Sequence, residues 1–427
     1  MIIMNIAVFS DVFLEVPGGI PSSITAQKKS LEELGHKVTI FAPGFTNNKG
    51  EATGLADESV LEDVIVVPTH KHLRLNGAPL AKAPEVVEQW IINNYPMFSN
   101  FDLVHVHYEA SCSLAGVRLA RKFKIPLVQT MHGREDMAIA VNVPHPFKTI
   151  AGSVLNYLHS KYIPHKVVVK RDHELAPTVA RAKMWTLMVN HANYADMVLT
   201  PSKHFARKLQ HYGVSKPITV VSNGVADEMV KEFDKKVGKK ALIRSKKPNE
   251  PLKLFWNSRL SQEKRIMPFL KALSMMKEPF FFSACGDGNE FKNAQRFIAQ
   301  NNMSKEVKLY GRVPHEEVLD KMLDQHLSVT VSYGFDTQGL TLLEAEAVGL
   351  PVFFCDPDMK EVAPAKGSVM SDSPDPVSMS KALDEVARNS ERIKAMSEEM
   401  IKHREEILQS TQIKKLVAVY SKLAHKA

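Results

Sequence analysis

The chain has no run of 18 or more apolar residues, so its sequence implies no membrane-spanning helix. It has three cysteines, Cys112, Cys285 and Cys355, and none forms a C-x-x-C pair. That excludes a disulfide framework and a zinc ribbon, and it fits buried thiols in a reducing cytoplasm. No G-x-G-x-x-G follows the first apolar run, and no acid stands at the offset that a dinucleotide ribose requires, which sets NAD aside. Low-complexity segments are absent too. The first ten residues are apolar but lack a basic leader and a small-residue cleavage site, and so read as a strand rather than a signal peptide.

What is present is a globular composition on a long chain. At 427 residues it exceeds what one hydrophobic core usually holds, so two domains are expected. A net charge of +8 admits an anionic partner, whether nucleic acid, a membrane surface or a nucleotide, or simply aids solubility. The position of the cations decides among these.

Short β-branched runs alternate with helical periodicity almost throughout. Strands are expected over 5–9, 38–42, 64–67, 103–106, 126–130, 197–200 and 218–221, with helices over 22–34, 84–93 and 113–123. Residues 227–251 are lysine-rich with few large apolar side chains, and read as a linker. The alternation then restarts, with strands over 252–256, 280–284, 307–310, 327–331 and 351–354 and helices over 266–275, 290–299, 315–323 and 340–348. The tail from 375 is helical and charged. Two doubly wound parallel sheets follow from this pattern.

In such sheets ligands bind beyond the carboxyl ends of strands, and the polar residues sit there. After the first strand come Ser10-Asp11 and, before a helix, Gly18-Gly19. The two glycines are either a plain turn or a place where backbone N–H groups meet a ligand. His132 ends the strand over 126–130, as a packed core histidine or a ligand contact. His105 and His107 share one strand face and read as packing residues. In the second half, Arg259 and Lys264 lie five apart around a helix start, where a guanidinium and an ammonium suit a diphosphate or form a solvated charge run. Gly286-Asp287-Gly288 closes the next strand. Val313 follows the one after. Last comes Asp336-Thr337-Gln338-Gly339-Leu340-Thr341-Leu342-Leu343-Glu344, two carboxylates across a glycine turn into an apolar helix. Carboxylates placed there can accept hydrogen bonds from sugar and ribose hydroxyls.

Each signal alone is weak, but their order resembles family 4 of the retaining glycosyltransferases, with the GT-B architecture, over essentially the whole chain. The form Asp-Thr-Gln-Gly-Leu-Thr is similar to the Glu-Thr-Gln-Gly-Leu-Thr of bacterial diacylglycerol glucosyltransferases, as are Ser10-Asp11 and the His132 segment. The resemblance implies an N-terminal acceptor-side domain (1–225), with a C-terminal helix (about 409–427) packing back on it, and a nucleotide-sugar domain (226–408) facing it across a cleft. It implies that Gly18 and Gly19 lie by the donor phosphates, that His132 contacts the transferred sugar, and that Arg259 and Lys264 hold the diphosphate. Asp336 and Glu344 stand in the family's E-x7-E pair, binding sugar and ribose. Asp11, Gly286, Gly288, Val313, Thr337, Gln338, Gly339, Leu340 and Thr341 complete the expected substrate site. Two departures stand out. Asp336 is one methylene shorter than the usual glutamate, and Asn257-Ser258 replaces a small glycine before the arginine.

Residues 147–183 hold seven Lys or Arg against two acids, interleaved with Leu155, Leu158, Tyr162, Ile163, Val167 and Val168. Such a segment reads as a monotopic anchor on an anionic bilayer, or as a solvated helix pair covering the sheet. Nucleic acid is not expected, since no recognition motif accompanies the charge. The expected activity is transfer of a hexose from UDP-glucose or another nucleotide-diphosphate hexose to a lipid such as diacylglycerol, on the cytoplasmic membrane face. No cofactor or metal is expected. The alternatives are a soluble sugar or protein acceptor, or a non-catalytic partner subunit.

Overall fold

The computed structural model describes residues 3–12, 18–44, 63–75, 78–238 and 243–424. The chain divides into two compact units, Met1–Asn223 with Gln412–Ala427, and Gly224–Thr411.

The first unit is built on β1 (Asn5–Phe9), β2 (Lys37–Ala42), β3 (Val64–Val66), β6 (Leu103–Val106), β7 (Leu127–Thr130), β8 (Met197–Thr200) and β9 (Ile218–Val220). They form one parallel sheet in the order β3-β2-β1-β6-β7-β8-β9. β6, β7 and β8 are buried along their whole length. That fits their largely apolar sequences, because helices cover a parallel sheet on both faces. One face packs the helices Pro84–Asn94, Ser111–Phe123 and Val179–Tyr194 around Phe9, Phe41, Phe98 and Trp185. The other packs Gly19–Glu33 and the final helix Gln409–Ala424, whose Ile413, Leu416, Val417, Val419 and Tyr420 are buried. Strand order reverses between β1 and β6, which places the ends of those two strands at the topological switch point.

The second unit repeats the plan with β10 (Leu252–Asn257), β11 (Phe280–Cys285), β12 (Val307–Gly311), β13 (Leu327–Thr330), β14 (Val352–Phe354) and β15 (Ser368–Met370), all parallel, ordered β12-β11-β10-β13-β14-β15. Its switch point lies between β10 and β13.

The expected linker is corrected by the structure. Asp227–Val237 is a helix that buries Val230 and Phe233, and Arg404 clamps Asp234 with two hydrogen bonds. Its apolar residues recur at helical spacing, but the surrounding lysines and acids mask them in a composition average. Residues 239–242 of that expected linker lie outside the described residues. Further features not anticipated include the antiparallel hairpin of β4 (Thr69–Leu75) and β5 (Ala78–Ala81), the edge strand β15, and the helices Glu135–Asn142 and Lys203–His211. All three cysteines are buried thiols. No helix among the described residues is long and apolar enough to cross a membrane.

Candidate active site

In the second unit the loops after β10 and β13 flank the switch point, so residues far apart in sequence meet. Lys264 Nζ donates to Asp336 Oδ1 at 2.6 Å, and its ammonium lies 5.6 Å from the centre of the Phe335 ring. Asp336 Oδ2 is buried with no hydrogen-bond partner among the described residues. Asn257 Nδ2 donates to Glu344 Oε2 at 2.8 Å. Arg259 is 65% exposed and reaches Glu263 Oε1 at 2.9 Å, while Ser261 Oγ holds the same oxygen at 2.6 Å.

The turn between the two carboxylates owes its shape to Gly339, which precedes the helix Leu340–Ala347 in the left-handed region (φ 73°) that glycine adopts without strain. Leu343 and Ala347 then anchor the helix in an apolar cluster with Leu340 partly covered, and Thr341 Oγ1 lies 3.2 Å from Thr330 Oγ1 at the end of β13. Gln338 is buried and Thr337 half-buried. Asp356, just past β14, holds the incoming loop through the Gly334 N–H at 2.6 Å. Burial and an orphaned Oδ2 therefore meet at Asp336, while Glu344 is held from the strand side.

Gly286 and Gly288 make room for backbone. A Cβ on Gly286 would lie 2.0 Å from the Ser258 carbonyl oxygen, and one on Gly288 would lie 2.3 Å from that of Leu260. The interlock is tied by Leu260 N–H to Asp287 O and Glu290 N–H to Leu260 O. In this structure the two glycines thus hold the Arg259 loop in place. Val313 packs half-buried beside Tyr310 in the core under β12.

In the first unit, Gly18 and Gly19 are exposed at the start of the helix Gly19–Glu33, with the Gly18 carbonyl accepting from Ser22 N–H at 3.2 Å. Asp11, at the end of β1, takes the N–H groups of Ala110, Cys112 and Ser113 at 3.1, 2.6 and 3.2 Å. It is the cap of the helix Ser111–Phe123, satisfying donors that a helix start leaves open. The sequence reading did not assign that role.

His132 is buried, and its Nε2 lies 2.8 Å from His107 Nδ1. His107 in turn packs against His105, ring centres 3.9 Å apart, and His105 bridges Thr130 Oγ1 and the Tyr420 hydroxyl, each at 2.6 Å. Burial holds His132 down to about 4 and His105 to about 3, so these imidazoles are neutral at pH 7.

Sequence reasoning missed a second group at the same strand ends: Tyr108, Glu109 and Glu135. Arg134 and Arg181 both bind Asp136, with Nε–Oδ1 at 2.7 Å for the first and Nη2–Oδ2 at 2.7 Å for the second. Burial pushes Glu135 up to about 7 against the Tyr108 hydroxyl that bonds it, and burial also raises Glu109 beside it. The visible signal was the position of Tyr108-Glu109 directly after β6, at the switch point.

Family models cover both units. The model described as Glycosyltransferase Family 4 matches residues 17–228, and that described as Glycosyl transferases group 1 matches residues 239–403. The chain is 24% identical over 364 residues to the alpha-monoglucosyldiacylglycerol synthase of Acholeplasma laidlawii, spanning 82% of this chain and 79% of that protein. It is 27% identical over 376 residues to the enzyme of the same name from Streptococcus pneumoniae, spanning 82% and 70%. Among solved structures, sucrose-phosphate synthase from Thermosynechococcus elongatus matches with a TM-score of 0.71 at 13% identity, over 99% of this chain and 100% of that one. Anabaena HepE in complex with UDP matches with a TM-score of 0.65 at 14% identity, over 98% and 100%. These two likenesses speak for the fold, which is that of GT-B glycosyltransferases.

Proposed function

The chain belongs to family 4 of the glycosyltransferases and is a hexosyltransferase, and from that premise we propose that it transfers glucose from UDP-glucose, with retention of configuration, to diacylglycerol on an anionic membrane surface. The observation that carries this reading is the Asp336–Glu344 turn at the switch point, with Lys264 on one carboxylate and Asn257 on the other. Its Thr-Gln-Gly-Leu-Thr form, and the names of the two curated relatives, support a glucosyl donor and a glycerolipid acceptor.

In this reading Glu344 accepts hydrogen bonds from the ribose hydroxyls. Arg259 and Lys264 neutralise the diphosphate as it departs, which stabilises charge where it develops. The orphaned Oδ2 of Asp336 accepts from a sugar hydroxyl, so that burial of this oxygen is matched once donor is bound. In the first unit the exposed start of the helix Gly19–Glu33 offers backbone donors to the phosphates, and neutral His132 holds the sugar near the reacting carbon. The departing phosphate accepts the acceptor proton on the face it leaves, so no protein base is assigned. With two cations at the diphosphate, strict dependence on a metal ion is not expected. The protein works as a peripheral enzyme on the cytoplasmic face of the cell membrane, held by its basic 147–183 segment.

The test is turnover of UDP-glucose by purified protein with vesicles of diacylglycerol and phosphatidylglycerol, with NMR of the product anomer. An α-linked glucolipid, lost in Glu344→Ala and Lys264→Ala, is the expected result. Calorimetric binding of UDP-glucose with no product from any lipid would overturn the lipid acceptor and leave a soluble acceptor or a partner subunit.

A further inference from the structure

His132 does not stand alone at the end of β7. Its Nε2 lies 2.8 Å from His107 Nδ1, and the two ring planes are inclined by only 19°. The ring centres are 5.1 Å apart, which is the length of that bond plus the distance from each centre to its nitrogen. The imidazoles therefore meet edge to edge in one plane, as a straight N–H···N hydrogen bond requires, and not face to face. Sequence spacing hides the pair. His107 follows β6 and His132 follows β7, and these neighbouring strands run in register with Val106 opposite Gln129.

The surroundings hold His107 in this orientation. Its backbone N–H donates to the Phe9 carbonyl at 3.0 Å, at the end of β1. The His105 ring packs against it, centres 3.9 Å apart, and His105 is itself fixed by Thr130 Oγ1 and the Tyr420 hydroxyl. His105 and His107 are both buried to 1% exposure. Rings packed this closely do not reorient freely, so the bond to His132 keeps its direction.

Burial also keeps the pair neutral. It holds His132 down to about 4 and, with His105 and His132 adding to it, holds His107 well below the usual histidine value. A neutral imidazole has one N–H and one lone pair, so a bond between two of them settles which nitrogen of each carries the proton. If His132 were the donor, His107 would keep an N–H at Nε2 with no acceptor among the described residues. If His107 is the donor, it keeps only a spare lone pair. A buried N–H without an acceptor is the rarer state.

We infer that His107 is a positioning residue for His132: its Nδ1–H donates to His132 Nε2, which fixes His132 in the Nδ1–H tautomer and makes Nδ1 its donor edge. The proposed function enters in one respect only, since it gives that edge the transferred sugar as its target, where a hydroxyl oxygen meets a donor rather than a lone pair. The place of the proton is a property of the two rings alone.

The experiment uses full-length protein carrying isotope-labelled histidine. Nitrogen NMR distinguishes a protonated from a bare imidazole nitrogen, and a His132→Gln sample identifies the His132 signals. Wild type is expected to show His132 protonated at Nδ1 and bare at Nε2. Steady-state kinetics then separates positioning from packing through two variants of similar shape. His107→Leu is expected to lower kcat by roughly 10²-fold, the scale of a slightly misplaced group, with donor KM changed less. His107→Asn, whose amide N–H can stand in for Nδ1–H, is expected to recover most of that loss. A residue that only filled space would behave in the opposite way, because leucine suits a buried site better than asparagine. Wild-type His132 protonated at Nε2 would overturn the inference, and so would a leucine variant as active as the asparagine one. Absence of turnover with any donor would count against the proposed function instead, and the NMR spectrum of the wild type would still decide the tautomer.

Discussion

Lys264 and Asp336, 72 residues apart, form an ion pair with Nζ 2.6 Å from Oδ1, and their side chains are only 17% and 10% exposed. The pair accounts for the shorter acid at this position. The ammonium reaches Asp336 Oδ1 directly, and Oδ2 has no hydrogen-bond partner among the described residues. In the proposed reading this one cation serves both carboxylate and diphosphate, so the two residues are expected to act as a unit. Lys264→Ala and Asp336→Asn are each expected to lower kcat by roughly 10²-fold or more, the scale of losing one aligned charge in an active site. The double variant should lose little beyond the worse single one. Steady-state kinetics of the three variants checks this, and full additivity would dissolve the unit.

Asn257, which with Ser258 stands where the resembling family has a small glycine before the arginine, holds Glu344 at 2.8 Å. Asn257→Gly removes a hydrogen bond to a charged acceptor, a loss of about 1.5–3 kcal/mol when the site depends on it. The expected result is a donor KM raised tenfold or more with kcat changed less, read from UDP-glucose titrations.

Gly286 has no room for a side chain, because the intruding atom would be a backbone carbonyl that cannot turn aside. Gly286→Ala is expected to cost about 2–4 kcal/mol of stability, the range of severe packing and strain substitutions. It should also weaken UDP binding through the displaced Arg259 loop. Urea denaturation and calorimetry report the two effects separately.

The Tyr420 hydroxyl bonds His105 Nδ1 at 2.6 Å in a fully buried setting. Tyr420→Phe keeps the ring and strands the imidazole nitrogen, for a loss of about 1–3 kcal/mol. Urea denaturation should show a lower midpoint with an unchanged slope.

Glu346 is buried on the helix Leu340–Ala347 with Oε2 unpartnered, and burial, then Glu406, pushes its carboxyl up to about 8. A folded-state value above the unfolded one means that the folded protein holds the extra proton between about pH 4.5 and 8. Stability from this group is therefore complete at about pH 4.5 and lost as pH rises through 8. Glu346→Gln should raise the melting temperature by several degrees at pH 8.5 and by little at pH 5. An offset constant with pH would contradict this account.

The alternation of short apolar runs with helical periodicity located nearly every strand of both sheets, because a parallel strand buried on both faces is written locally as a run of apolar and β-branched residues. It overlooked β15, three residues long at an edge, and the β4–β5 hairpin, whose Thr69–Leu75 strand is rich in polar and basic residues. It misjudged Asp227–Val237, where charge conceals two buried positions.

The sequence by itself determined which residues stand at strand ends, since strand position and polar punctuation are local properties, and so it placed His132, Arg259, Lys264, Asp336 and Glu344 where α/β sheets keep their ligands. Only the tertiary structure decided who partners whom. Lys264 meets Asp336, Asn257 meets Glu344, Asp11 caps a helix 100 residues on, and His107 backs His132, because strand order brings β10 beside β13, β1 beside β6 and β6 beside β7. The same holds for the helix Lys148–Ser160, whose periodicity is legible in the chain. Which side faced out was settled by the contacts of Gly152, Asn156 and His159 with Ala180, Lys183 and His191, 27 to 32 positions away.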